Sequence, residues 1–258
     1  MVKRFLFSVL VIILSALFVG CSATDKKPNE EVELLISAAA SLTDALEELK
    51  GPFEEKHEGI RLTYNFGSSG KLATNIENGA PSDVFLSAST KDMNSMEEKG
   101  LIDNESRKVF ASNALVLIAP KDSAIEIASF EDIDLAAIAH LAVGEPASVP
   151  VGRYTKETLE TLDLWEPLQE KLVLGSDVRQ VLTYVEMGNA DAGVVYSSDA
   201  FMSDDVNVLA ESNAAWHAPI VYPGAVVKDS KHQQAAQQFL DYVTSDAGME
   251  TLRKFGFK

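Results

Sequence analysis

Apolar and polar positions recur along this chain in one repeating order: a short apolar run, a turn, then an apolar stripe at helical spacing. Val32–Ser37 reads as a strand, and the residues after it place Leu42, Ala45, Leu46, Leu49 and Phe53 on one helical face. Arg61–Phe66 reads as a second strand, ahead of a helix carrying Leu72, Ala73 and Ile76. Asp83–Ala88 and Ala114–Ala119 are further buried-strand candidates. His140–Gly144 leads into a helix from about Val151 to Leu162, and Lys171–Leu174 into one holding Val178, Val181, Leu182 and Val185. Gly193–Tyr196 is a short strand, Ile220–Val227 a longer one and Gln233–Thr244 a closing helix. Strands alternating with helices imply an α/β fold with parallel sheets and helices on both faces.

The first twenty residues fall outside that pattern. Lys3 and Arg4 precede an apolar stretch, Phe5–Val19, that stops at Gly20 before Cys21, which reads as a secretory signal and not as part of the fold. Cys21 is the only cysteine, so it has no internal disulfide partner. Its place at the end of the signal fits a lipoprotein cleavage site, although Phe18 stands where leucine is usual. Residues 22–31 are polar, with the composition of a disordered tether. No later segment is apolar for long enough to span a bilayer.

The chain carries a formal charge of −17, and removal of Lys3 and Arg4 makes it more negative. Nucleic acid rewards clustered Lys and Arg, so this balance argues against it. A small anion is not excluded, because local dipoles govern a dry pocket. The remaining chain, about 225 residues, is long enough for one large domain or two modest ones.

Four strand-to-helix junctions share a chemistry. They read Ala40-Ser41-Leu42-Thr43, Gly67-Ser68-Ser69-Gly70, Val149-Pro150-Val151-Gly152 and Ser176-Asp177-Val178-Arg179. In an open α/β sheet, ligands sit outside the carboxyl ends of the strands, where such junctions lie. A helix N-terminus offers unpaired N–H groups and about half a positive charge, so it binds anions without a formal cation. Helix capping explains any one junction, and Asp44 after Ser41 resembles a Ser-x-x-acid cap. The four together point to a site.

Catalytic readings fit less well. Gly67-Ser68-Ser69-Gly70-Lys71-Leu72 lacks the glycine at Asn65 and the hydroxyl at Leu72 that a phosphate loop requires. The chain has no Gly-x-Ser-x-Gly elbow. His57, His140, His217 and His232 are far apart and lack metal-ligand spacing; the first and last read as surface residues, the middle two as structural. Glu47-Glu48, Glu54-Glu55 and Glu97-Glu98 read as solvated helix faces.

"SAAASLTDAL", "FGSSGKLATNIENGAPSDVFLSAS", "LAVGEPASVPVGRYTKETL", "SDVRQVLTYVEMGNADAGVVYSSDA" and "RKFGF" closely resemble, in this order, the substrate-binding proteins of molybdate ABC transporters. The resemblance implies a type II periplasmic-binding fold: two lobes with mixed, mainly parallel sheets and a ligand cleft between them. It implies high-affinity extracytoplasmic binding of molybdate, with tungstate accepted, and delivery to an ABC permease and its ATPase. A protein tuned to tungstate, sulfate or another tetrahedral oxyanion is the alternative. Carried over motif by motif, the ligand positions are Ser41, Ser69, the backbone N–H groups of Val151 and Val178, and Tyr196. The molybdenum is held only within its oxyanion, without a protein–metal bond, and no cofactor or catalytic residue is expected. A lipid on Cys21 would fix a monomeric protein to the outer face of the cytoplasmic membrane. One lobe is expected to comprise 31–112 and 223–258 and the other 113–222, with hinges near Ser112-Asn113 and Tyr222-Pro223.

The residue chemistry agrees with such a ligand. Molybdate is fully ionised at neutral pH, so its site needs hydrogen-bond donors and no carboxylate facing it. Asp177 is the apparent exception, unless as an N-cap it turns onto its own helix or reaches Arg179.

Overall fold

The computed structural model describes residues 31–258. The signal, Cys21 and nearly all of the tether lie outside the described residues. Two five-stranded sheets organise the described chain.

The first half begins with β1 (Val32–Ala39), a 3-10 turn at Ala40–Leu42 and helix α1 (Thr43–Lys56). It continues with β2 (Ile60–Gly67), α2 (Ser69–Glu77), β3 (Val84–Leu86), α3 (Thr90–Glu98) and β4 (Lys108–Ser112). The second half comprises β5 (Leu115–Pro120), β6 (Leu141–Gly144), α4 (Pro150–Thr161), the one-turn α5 (Trp165–Leu168), β7 (Leu172–Gly175), α6 (Val178–Glu186), β8 (Ala192–Tyr196), α7 (Ser197–Phe201) and β9 (Val206–Glu211). The chain then returns to the first sheet as β10 (Val221–Val226) and closes with α8 (Gln233–Val243) and α9 (Asp246–Lys254). Strand order is β2-β1-β3-β10-β4 in one sheet and β7-β6-β8-β5-β9 in the other.

Parallel pairing is incomplete. β10 runs antiparallel to both β3 and β4, and β5 antiparallel to both β8 and β9, so one strand in each sheet is reversed. These are the strands that enter each sheet after the chain has crossed from the other. β10 already pairs with β4 at Val221 and Tyr222, and its register shifts between Tyr222 and Pro223.

Six elements went unread in the sequence, among them the short helices α5 and α7. α3 buries only Met93 and Met96 among its apolar residues, too sparse a stripe to stand out. β4 and β9 are edge strands that leave Val109 and Val208 exposed, and α9 buries little beyond Leu252. β3 is shorter than the run Asp83–Ala88 because side chains end it: Asp83 accepts from the Leu35 N–H at 2.8 Å, and Ser87 binds the Ser89 backbone.

Helices that line the ends of the sheets are anchored as their stripes dictate. α6 buries Val178, Val181, Leu182 and Val185, each contributing roughly 1.5–3 kcal/mol if fully removed from water. α4 begins with Pro150 at its first position, where proline's missing N–H costs no helical bond. Its first turn touches the end of β6 backbone to backbone, with Gly144 against Gly152.

Candidate functional site

Ser41, Ser69, Val151, Val178 and Tyr196 come together on one small cavity of about 10 Å³, lined also by Ala39, Ala40, Gly67, Ser68, Ala88, Val149, Pro150 and Asp177. The walls are small side chains and backbone, contributed by all four junctions. Two larger hollows, about 770 and 630 Å³, are lined in part by Glu33, Asp83 and Asp229 and by Glu145, Glu157 and Glu160. Lys231 stands among the carboxylates of the first, and Lys91, Arg153 and Lys156 among those of the second, so charge alone does not decide; the small cavity, where all four junctions meet, is the candidate site.

Three hydroxyls reach it. Ser41 sits inside the 3-10 turn before α1, and no side chain caps that helix. The capping reading of Ser41 with Asp44 is therefore overturned: the turn places Ser41 ahead of the helix, and its Oγ lies 3.0 Å from Tyr222 Oη. At the second junction the two serines divide their work. Ser68 is the N-cap of α2 and accepts from the Lys71 N–H, whereas Ser69 Oγ accepts the Ala88 N–H at 2.9 Å. A hydroxyl that accepts from a backbone N–H keeps its own proton to donate elsewhere. Tyr196 ends β8, is buried, and its Oη has no hydrogen-bond partner among the described residues. Burial pushes the Tyr196 phenol well above its ordinary pKa, so it stays protonated and a donor.

Backbone donors complete the ring. Val151 and Val178 occupy the first turns of α4 and α6, where N–H groups have no intrahelical acceptor. Asp177 lines the cavity but spends Oδ1 on the Gln180 N–H at 3.0 Å, as the N-cap of α6. Gln180 answers by accepting the Ser176 N–H at 2.6 Å. The one carboxylate at the cavity is thus partnered by its own helix.

Bacterial extracellular solute-binding proteins, as a family, match residues 34–258. The chain belongs to this family. It is 41% identical over 229 residues to "Molybdate-binding protein ModA" of Haemophilus influenzae, covering 87% of this chain and 89% of that one. It is 43% identical over 255 residues to the Bacillus subtilis protein named "Putative ABC transporter substrate-binding lipoprotein YvgL", covering 97% of each. The solved periplasmic molybdate-binding protein of Azotobacter vinelandii superposes with a TM-score of 0.76 at 25% identity, over 87% of this chain and 98% of that one.

In this solute-binding protein the two halves are clasped around the cavity by groups that sequence reading did not pair. Arg153 of α4 reaches Asp92 of α3, and Arg179 of α6 reaches Asp44 of α1. Each arginine follows a cavity-lining valine by one or two residues. Burial raises the Asp92 carboxyl and Arg153 opposes that rise. Arg179 Nε also stands 3.0 Å from Asp199 Oδ1, an ion pair without hydrogen-bond alignment. Full burial pushes Asp199 up to about 7; Arg179 opposes the shift, and Asp44 and Asp177 reinforce it. Gly70 of α2 completes the clasp by donating its N–H to the Ser148 carbonyl at 3.1 Å.

The histidines stand apart from this cavity. His57 stacks on Phe53 with ring centroids 4.4 Å apart, and His217 lies edge-on to Tyr154. The side chain of His140 is largely exposed beside Asp191, so the structural reading of that residue is corrected. Among the described residues, no cluster of His, Cys, Asp and Glu could hold a metal ion. No helix among them is long and apolar enough to cross a membrane.

Proposed function

We propose that this protein binds molybdate, and the near-isosteric tungstate, outside the cytoplasm and delivers it to an ABC permease, without catalysing a reaction. The observation that carries the reading is the buried Tyr196 Oη, a donor without a protein partner, facing a cavity that hydroxyls and first-turn N–H groups also line. Such a site matches a tetrahedral oxyanion that carries no proton. The names of the relatives point to the same ligand. Ser41 and Ser69 act from one lobe (31–112 and 223–258), and Val151, Val178 and Tyr196 from the other (113–222). The cleft then shuts on the anion about hinges near Ser112-Asn113 and Tyr222-Pro223. In this reading Cys21 carries the lipid that keeps a monomeric protein beside its permease, as the name of the Bacillus subtilis relative supports. A diacylated cysteine is a two-chain anchor and holds stably.

Calorimetry on ligand-free protein tests the ligand. Molybdate and tungstate are expected to bind tightly, and sulfate and phosphate very weakly, because the cavity is sized by fixed backbone. Comparable affinity for sulfate overturns the assignment.

A second test isolates a backbone donor. Val178→Ala keeps the N–H and is expected to retain most of the affinity. Val178→Pro deletes that N–H at the first helical position, where proline is tolerated, and Asp177 already has the extended φ −162° and ψ 177° that a following proline favours. A hydrogen bond to a charged group contributes about 1.5–3 kcal/mol, so the proline variant is expected to bind about ten- to a hundredfold or more weakly. Wild-type binding by a proline variant with a normal melting temperature places the donor elsewhere.

A further inference from the structure

Ser41 differs from the other hydroxyls at the cavity in lying at the end of a buried chain of hydrogen bonds. Tyr222 Oη has two partners, Ser41 Oγ at 3.0 Å and Asn113 Nδ2 at 3.3 Å. Asn113 stands where the chain passes from β4 to β5, and Tyr222 lies in β10, just before the register shift.

The direction of the chain follows from its far end. Asn113 Oδ1 accepts the Ala114 N–H at 2.9 Å and the Ser197 hydroxyl at 2.8 Å. A backbone N–H only donates, so this orientation of the amide is fixed. Its nitrogen then faces Ser198 Oγ at 2.8 Å and Tyr222 Oη, and an amide NH2 only donates. Tyr222 Oη therefore accepts from Asn113. Were Ser41 also to donate to it, the phenol proton would be buried without an acceptor, an unfavourable arrangement. Tyr222 donates to Ser41 instead, and Ser41 is left with a free proton at the edge of the cavity. Rings of Phe110, Tyr196 and Phe257 lie edge-on to Tyr222 at 6.3, 6.0 and 5.2 Å and hold its plane. Burial also keeps the phenol protonated.

We infer that Asn113 and Tyr222 are positioning residues: they relay one hydrogen-bond direction to Ser41 and hold its hydroxyl as a donor to the bound oxyanion. The inference rests on the reading of the cavity as an oxyanion site. It adds a means of specificity besides size, since a hydroxyl held as a donor cannot accept from an oxyanion that carries a proton, such as hydrogen phosphate.

A double-mutant cycle on the full chain tests the relay, with molybdate as the calorimetric probe and melting of each ligand-free variant as the control. Tyr222→Phe keeps the ring and deletes the relay, and is expected to weaken binding about three- to tenfold, the range of one neutral hydrogen bond. In the Ser41→Ala background the same change is expected to alter affinity less than about twofold, because its effect passes through Ser41. Tyr222→Phe is also expected to narrow the preference for molybdate over hydrogen phosphate. Asn113→Asp supplies a second probe: an acceptor replaces the donor, the phenol proton turns away from Ser41, and the loss is expected to be larger with Tyr222 present than in the Tyr222→Phe background. Equal losses with and without the Ser41 hydroxyl, or an unchanged phosphate preference, overturn the relay and leave the site reading standing. Failure of the wild-type protein to bind molybdate overturns both.

Discussion

Gly70→Ala is expected to abolish tight oxyanion binding while leaving the ligand-free protein as stable as wild type or slightly more so. Gly70 is the second residue of α2, and an added Cβ would lie 3.1 Å from both C and Cα of Ser148, with the Ser148 carbonyl oxygen closer still. Those atoms are backbone of the opposite half, so no side-chain rotation relieves the overlap. The Gly70 N–H also donates to that carbonyl, at 3.1 Å. Within its own half the substitution is benign. Its φ is not positive, and alanine at a compatible helical position stabilises a chain by about 0.4–1 kcal/mol through the unfolded state. The methyl group therefore acts as a wedge only when the halves meet. A cleft held open loses the donors of one side, and two charge-assisted bonds at about 1.5–3 kcal/mol each correspond to roughly a hundredfold or more in affinity. Calorimetry against molybdate and melting with and without ligand check this. Normal affinity in the variant means that the Gly70–Ser148 contact is not part of closure.

What could be read from the chain beforehand divides along physical lines. Elements with dense apolar stripes, such as α6 with Val178, Val181, Leu182 and Val185, announce themselves locally. α3 and the edge strands β4 and β9 do not, because few of their residues are buried. At the cavity, junction chemistry and family resemblance together named Ser41, Ser69, Val151, Val178 and Tyr196, and the fold brings all five to one cavity. The bonds that orient these groups were not legible. Ser41 and Tyr222 are 181 residues apart, Arg179 and Asp44 135, and Arg153 and Asp92 61. No local pattern encodes such pairs. The capping alternative at Ser41 fails for the same reason: Ser-x-x-acid fits a helix start, but the acid is committed to Arg179 of the other half.

The arginine clasps bear on how an acidic protein holds an anion. Neither guanidinium lines the cavity; each is committed to a carboxylate, Asp92 for Arg153 and Asp44 with Asp199 for Arg179. Neutral hydroxyls and first-turn N–H groups are left to line the cavity, while the charged pairs join the two halves. Partial burial keeps such pairs from being screened as exposed ones are. The pairs thereby dock the helices that carry Val151 and Val178 against the other half.

Gly152→Ala is expected to be the most damaging of the glycine substitutions to stability, and it loses binding as well. An added Cβ at Gly152 would lie 2.5 Å from the Gly144 carbonyl carbon and 3.1 Å from its Cα, with the carbonyl oxygen nearer still. The obstacle is the end of β6, a central strand of its sheet. Relief requires α4 to withdraw from that strand, and with it the buried Val151, Tyr154, Thr155 and Leu159. Overpacking of this kind costs typically 1–3 kcal/mol, and more where backbone opposes it; about 3 kcal/mol lowers the melting temperature of a domain this size by roughly 6–12 °C. The same withdrawal carries the Val151 N–H away from the cavity, so affinity should fall further than stability alone accounts for. Gly51→Ala is the control: Gly51 lies in α1 with nothing within 4 Å of an added Cβ, and the change is expected to be neutral or stabilising. Thermal unfolding of the three ligand-free proteins decides the matter. A Gly152→Ala protein that melts with wild type shows that α4 can shift without cost, and the backbone contact between Gly144 and Gly152 is then not what seats the Val151 donor.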